Sequence, residues 1–255
     1  MLAAIDIGNT NIVIGIFDGD RLVSSFRIAS RAETTADEYA ATLDGLLRMA
    51  NLAPKQVHHV CLASVVPRLQ AVFVELSKRF FGQQPLIVGP GVKTGISISY
   101  ETPRDVGADR IVNAVAARGL YKTDLIVVDF GTATTFDAIT AGGEYLGGVI
   151  VAGVTVSLDA LFLRTAKLPR VDVARPQSVI GRNTIHSIQS GAFYGYLSMV
   201  EGIVTRMKLE MKDPVHVIAT GGMASLVCLE CAVVDRIEPD LTMMGLKLIH
   251  NMNHR

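Results

Sequence analysis

The sequence predicts an α/β protein built from two related domains with mixed sheets. Three observations carry that expectation. Ile- and Val-rich segments alternate with amphipathic helical ones along the whole chain. The pattern also begins twice, because Ile5-Asp6-Ile7-Gly8-Asn9-Thr10 and Val128-Asp129-Phe130-Gly131-Thr132 share the frame apolar-Asp-apolar-Gly followed shortly by Thr. Finally, 255 residues leave room for two domains of ordinary size, and the two frames lie about 120 residues apart. A boundary near residue 118 follows, giving domains 1–118 and 119–255.

Each element has its own signal. Leu2–Ile7 and Asn11–Phe17 read as antiparallel strands flanking Gly8-Asn9-Thr10, and Asp18-Gly19-Asp20 turns the chain into a third strand, Leu22–Ile28. A helix from about Ala36 to Ala50 has Thr34 or Thr35 as its N-cap, with Asp37 and Glu38 in the first turn. Val57–Ser64 reads as a buried strand, Pro67–Phe80 as a helix, Pro85–Val88 as a short strand and Asp109–Leu120 as a connecting helix. Leu125–Val128 and Thr134–Ile139 then form strands around Asp129-Phe130-Gly131-Thr132. Helices follow near Val156–Leu163 and Ile185–Lys208, separated by a polar loop with Gly181–Thr184. The strand Val215–Ala219 ends at Thr220-Gly221-Gly222, a helix is expected around Met223–Cys231, and a last one around Leu241–Asn251.

Composition narrows the function classes. A net charge of zero provides no broad field for nucleic acid or anionic lipid, so neither is an expected partner. The N-terminal segment has no basic n-region, and the longest apolar stretch, Val149–Val156, is too short for a membrane helix. A cytoplasmic protein is expected. Cys228 and Cys231 form a lone CxxC in an apolar stretch with no second Cys/His pair nearby, and read as core-lining thiols. The histidines are scattered along the chain and suggest no metal set.

The chemistry lies in three glycine turns. A strand that ends in Asp-x-Gly places a carboxylate beside backbone N–H groups, which suits a phosphate on the amides and a cation on the carboxylate. The same composition occurs in plain hairpins, and both readings stay open for either turn alone. Thr10, Asn11, Thr132, Thr134 and Thr135 add hydroxyls and amides that a hairpin does not need. In the third turn, Gly221 and Gly222 permit close backbone approach to a flat ligand such as adenine, or simply connect a strand to a helix. Neither a GxxxxGK[ST] loop nor a strand-GxGxxG-helix fingerprint is present.

The order Asp-x-Gly-Asn-Thr, Gly-x-Asp-Arg, Asp-x-Gly-Thr-Ala-x-Thr and Thr-Gly-Gly resembles type III pantothenate kinases of the actin, sugar kinase and Hsp70 superfamily. Gly147-Gly148-Val149-Ile150, Thr165-Ala166-Lys167-Leu168-Pro169 and Ile180-Gly181-Arg182-Asn183-Thr184 extend the resemblance over nearly the whole chain. One departure is Ala152-Gly153 where the family commonly has Pro-Gly, which relaxes a loop and removes no catalytic group.

The resemblance implies two stacked actin-like (ribonuclease H-like) domains with an ATP cleft between them, and ATP-dependent phosphorylation of pantothenate. It makes Asp6, Ile7, Gly8, Asn9, Thr10, Asn11, Ile12 and Val13 the first phosphate segment, with Gly131 and Thr132 in the second and Gly221 and Gly222 near the nucleotide. Mg²⁺ would screen the triphosphate near Asp6, and a monovalent cation, K⁺ or NH₄⁺, would sit on Asp129. Tyr100, Gly107, Ala108, Asp109, Arg110 and Thr184 would bind pantothenate, with Asp109 as proton acceptor. Taken without the resemblance, Asp109 equally reads as a helix cap, Tyr100 as a core aromatic and Thr184 as an N-cap. A homodimer is also implied, and the helix at Ile185–Val204 with Gly191, Gly195 and Gly202 suits either an interface or an internal core. Two other readings stand beside this one: a kinase of the same architecture acting on another small alcohol or acid, and an ATP-binding regulator without turnover.

Overall fold

The computed structural model describes residues 1–211 and 214–254. In chain order these form β1 (Leu2–Ile7), β2 (Asn11–Asp18) and β3 (Arg21–Ala29), then α1 (Ala36–Met49), β4 (His59–Ser64), α2 (Pro67–Leu76) and two short strands, β5 (Leu86–Ile87) and β6 (Ser97–Ile98). After α3 (Ala108–Leu120) come β7 (Asp124–Phe130), β8 (Ala133–Ile139) and β9 (Glu144–Ala152). The remainder forms α4 (Val154–Arg164), α5 (Thr184–Met211), β10 (Val215–Thr220), α6 (Ala224–Val227), β11 (Arg236–Ile237) and α7 (Leu241–Asn253).

Two mixed sheets repeat one topology. The first has the order β3-β2-β1-β4-β5, and the second has β9-β8-β7-β10-β11 with β6 added beside β9. In each, an antiparallel meander of three strands is extended from its first strand by parallel pairing. Parallel pairing needs a crossover, which α1 supplies before β4 and α5 before β10.

Contacts divide the chain into two compact units. Unit 1 holds Met1–Ile96, Glu101–Gly119 and the residues from Leu241 onward, and unit 2 holds Ser97–Tyr100 and Leu120–Asp240. Helix α7 groups with the first unit. The reason is its apolar face: Met243, Leu246 and Ile249 are buried with Leu2, Ala4 and Cys61 of the first sheet and with Val112 and Val115 of α3. The opposite face of that sheet, through Ala3, Ile5 and Ile7, packs on Tyr39, Leu43 and Leu47 of α1 and Phe73 of α2. Strand β1 is therefore buried on both sides, which is why it reads as a nearly unbroken apolar run. Each fully buried Leu, Ile or Phe contributes about 1.5–3 kcal/mol. In unit 2, Ile126, Val128 and Phe130 pack on Phe193, Leu197, Val200 and Val204 of α5.

Local signals act as their chemistry dictates. Thr35, not Thr34, caps α1: its hydroxyl accepts the Glu38 N–H while the Glu38 carboxylate accepts the Thr35 N–H. Helix α2 ends at Leu76 and continues as a widened turn, Ser77–Phe81, closed by Gly82 in the left-handed region. The helix expected over Met223–Cys231 is shorter, α6 passing at Cys228 into a single tight turn. His59 meets His250 and His254 of the C-terminal segment, with ring centroids 4.1–5.3 Å apart among the three, and burial holds His250 down to about 4.

Helix α7 crosses α3 at Gly245, where an added Cβ would lie 2.1 Å from the Val112 carbonyl oxygen. Gly245→Ala is expected to lower stability by about 1–3 kcal/mol in chemical denaturation. Gly45, on an exposed helical face with nothing within 4 Å, is the control: Gly45→Ala should raise stability by up to about 1 kcal/mol.

Candidate active site

The first turn is built by the β1–β2 hairpin. Asp6 is the penultimate residue of β1, opposite Val13 on one side and Ala63 of β4 on the other. The Gly8 N–H donates to the Asn11 carbonyl at 3.0 Å, and a Cβ on Gly8 would meet that same oxygen. Ser30 ties the turn from behind, its hydroxyl donating to the Gly8 carbonyl at 2.6 Å and its N–H to the Thr10 carbonyl at 2.9 Å. Asn9, Thr10 and Asn11 remain exposed. Ile7 and Ile12 are fully buried, so their side chains serve the core and only their backbones face the turn.

Asp109 lies in the first turn of α3, and its neighbourhood joins the end of β1. The Val65 N–H donates to the Ile7 carbonyl, and Val65 lies 3.6 Å from the position of a Cβ on Gly107. At Gly107 that Cβ would be 2.5 Å from Asp109 Oδ1, so the carboxylate folds back over a residue that can have no side chain. The Arg110 N–H donates to Oδ1 at 2.8 Å. Burial pushes the Asp109 carboxyl above its ordinary value, against the opposing pull of the Arg110 N–H and guanidinium. The helix start alone would favour the anion, and here desolvation outweighs it. Arg110 itself is buried, 7% exposed.

In unit 2 the second and third turns come together. Asp129 is penultimate in β7, opposite Thr135 of β8 and Thr220 of β10. Gly221 follows directly with φ +92°, and a Cβ there would sit 2.5 Å from Asp129 Oδ1 and 2.6 Å from the Phe130 backbone nitrogen. The Gly131 N–H donates to the Ala133 carbonyl, and the Gly153 N–H to the Thr132 carbonyl. Gly153 is the residue after the Ala152 that departs from the family pattern, and a Cβ on it would lie 2.4 Å from the Gly131 oxygen. The tight contact rests on the glycine and needs no preceding proline.

Tyr100 and Thr184 occupy different parts of unit 2. The Tyr100 ring lies over Gly147 and 6.5 Å from the ring of Tyr145, which is fully buried and donates its hydroxyl to Asp137 at 2.6 Å. Thr184 lines a cavity of about 740 Å³ between α4 and α5 with Ser157, Leu161, Arg182, Ser187 and Tyr196. Asn183, not Thr184, caps α5, its side-chain oxygen accepting the His186 N–H at 2.8 Å. Tyr196 donates to the Ala152 carbonyl, which links this cavity to the Asp129 turn.

Sequence reasoning missed β9, whose Gly147 and Gly148 hide the strand pattern, together with the supporting roles of Val65, Gly153 and the Asp137–Tyr145 pair. The Asn-x-x-His spacing at Asn183 and His186 was the available cue for the α5 cap.

A family model described as type III pantothenate kinase matches residues 2–206. A type III pantothenate kinase of Geobacter sulfurreducens is 52% identical over 253 residues, covering 99% of this chain and 99% of that protein. Among solved structures, a putative Baf family transcriptional activator from Campylobacter jejuni matches with a TM-score of 0.63 at 17% identity over 98% of both chains. A putative 2-dehydro-3-deoxygalactonokinase from Sinorhizobium meliloti matches with a TM-score of 0.57 at 14% identity, over 99% of this chain and 96% of that one. The two structural likenesses speak to the fold, a two-domain actin-like one with mixed sheets.

The Gly221 contact yields a direct test. Gly221→Ala must both hold a positive φ and displace the Asp129 carboxylate, so it is expected to cost about 1–3 kcal/mol in denaturant unfolding. An unchanged midpoint would mean that the turn relaxes freely.

Proposed function

The chain belongs to the type III pantothenate kinase family, and from that membership we propose that it transfers the γ-phosphoryl group of ATP to the hydroxyl of pantothenate with Asp109 as proton acceptor. The product is 4′-phosphopantothenate, the first step of coenzyme A biosynthesis. The observation that carries the residue assignment is the Asp109 carboxylate, partly buried at the start of α3 with Oδ1 fixed by the Arg110 N–H. A carboxylate raised by burial is a stronger base than one in water. With Oδ1 engaged, Oδ2 takes the substrate proton as the hydroxyl oxygen bonds to the γ-phosphorus and ADP departs.

The remaining roles follow the same reading. The exposed Asn9, Thr10 and Asn11 of the first turn orient phosphate, as do Gly131 and Thr132 of the second, while Gly221 and Gly222 let the nucleotide approach the backbone. Tyr100, Gly107, Ala108, Arg110 and Thr184 bind pantothenate. The family uses ATP with a divalent cation. Hard cations take oxygen donors, and the carboxylates Asp6 and Asp129, the latter with the side-chain-free Gly221 against it, fit that demand: Asp6 for Mg²⁺ at the triphosphate, Asp129 for K⁺ or NH₄⁺. When bound, these ions neutralise charge that develops on the phosphates. The repeated sheet order supports the organisation into domains 1–118 and 119–255 as ancestral halves, with α7 returning to the first. A cytoplasmic location belongs to the same reading. No helix among the described residues is long and apolar enough to cross a membrane.

A homodimer is part of the proposal. Phe162, Leu163, Val179, Ile180 and Ile185 are exposed around α4 and the start of α5, Ile180 by 81% and Leu163 by 75%. A Cβ added at Gly191 or Gly195 on α5 would meet nothing within 4 Å among the described residues, so their smallness serves no contact there. Such an apolar surface around α5 suits a second copy.

Two measurements decide these points. Asp109→Asn should lower kcat about 10²–10⁴-fold while ATP binding is retained. In the wild type, the base must be ionised and its carboxyl is raised, so activity should fall with falling pH at a value above the ordinary aspartate range of about 4. ATP binding without pantothenate-dependent ADP release would sink the assignment. In gel filtration the wild type should elute as a dimer and Ile180→Asp as a monomer; a wild-type monomer at micromolar concentration removes the dimer.

A further inference from the structure

Directly after the Gly221 turn the chain carries two thiols that the proposed reaction does not use. The segment is hydrogen-bonded in sequence: the Ala224 N–H donates to the Gly221 carbonyl, the Val227 N–H to Met223 and the Cys231 N–H to Cys228 at 3.3 Å. An i to i+3 closure of this kind holds the two α-carbons within about 7 Å, the range a disulfide spans. The two thiols act on each other, Cys228 holding Cys231 down and being itself raised. Cys228 is partly exposed and Cys231 is 8% exposed, enough for a small reagent.

We propose that Cys228 and Cys231 form a peroxide-sensitive dithiol whose closure to a disulfide acts on the adjacent Gly221 turn. The Cys231 thiolate attacks one oxygen of hydrogen peroxide, giving a sulfenic acid and hydroxide; the Cys228 sulfur then attacks the Cys231 sulfur, its proton leaving with the departing hydroxide as water. Two thiols and one peroxide give one disulfide and two waters. Cys231 is the nucleophile because its neighbour Cys228 and the N–H groups of Val233 and Val234 hold it below the ordinary thiol value against burial, while Cys228 is raised. Glu201, on α5, opposes the thiolate. Glu230, between the cysteines, pairs with Arg175, so the turn also anchors the segment before Thr184. Cys61 is a built-in control: burial pushes it up to about 12.

The claim of an effect on the turn rests on the nucleotide reading of Gly221; the chemistry of the thiols does not. The protein treated with hydrogen peroxide should lose two hydrogens by intact mass, reversibly with a dithiol reductant, at a rate that rises with pH and begins to do so below the ordinary thiol range. Cys228→Ser should accumulate a sulfenic acid on Cys231 that dimedone captures, and Cys231→Ser should leave Cys228 unreacted. A wild type that stays reduced, gains oxygens instead, or reacts first at Cys61 overturns the site. The disulfide form should show a KM for ATP changed about fivefold or more with the KM for pantothenate little altered. Oxidation that leaves the ATP value unchanged overturns the coupling while leaving kinase turnover itself intact.

Discussion

A carboxylate that stands one residue short of a strand end, with a side-chain-free backbone pressed against it, is the contact on which unit 2 is organised. At Asp129 the approach of Gly221 is too close for any Cβ, and the same turn is closed from another side by Gly153. Such packing is possible only where parallel β10 ends level with β7, which the register of Asp129 with Thr220 provides. The meander places Thr132 and Gly131 at the other edge of the turn. The result is a surface of backbone and carboxylate oxygen with little side-chain bulk, the sort that phosphates and hard cations accept.

At Asp109 the decisive quantity is the balance between desolvation and the amides at a helix start. The helix dipole and the Arg110 N–H stabilise the anion, but burial costs more, and the carboxyl ends up raised. This is the direction a general base needs, because a carboxylate stabilised solely by amides would bind its proton too weakly. Removing the side chain at Gly107 is what makes this burial possible, so the glycine acts on the basicity of its neighbour and not merely on the turn.

Much of this was legible in the sequence, for reasons that differ by element. Strands buried on both faces, such as Leu2–Ile7 and Leu125–Val128, announce themselves as apolar runs, and Thr35 with Glu38 forms a capping box that local chemistry determines. Strand β9 was lost because its glycines carry no apolar signal, and β5, β6 and β11 are two-residue strands with no period to read. The return of α7 to the first unit depends on Met243, Leu246 and Ile249 finding the face left by Leu2 and Ala4, a long-range match that local pattern does not encode. Of the site, the Asp-x-Gly turns were visible as motifs. Their partners, Val65 beside Gly107 and Gly153 beside Gly131, emerge only from the fold.

The two sheets show how one skeleton diverges. Asp6 pairs with Ala63 as Asp129 pairs with Thr220, so Ser64 corresponds to Gly221 and Val65 to Gly222, and each strand is followed after the same interval by a helix, at Pro67 and Ala224. In unit 1 the Ser64 hydroxyl accepts the Val66 N–H and closes the turn on itself, while Val65 turns its side chain toward Gly107. In unit 2 two glycines stand at these positions, and the chain instead closes onto the Asp129 carboxylate. One copy therefore carries a side chain that packs toward Gly107, beside Asp109, and the other has given up side chains to bring backbone next to the Asp129 carboxylate. Neither change disturbs the strand pairing, because both fall at the end of a strand or just past it, where substitution alters the surface offered to a ligand and leaves the core unaltered.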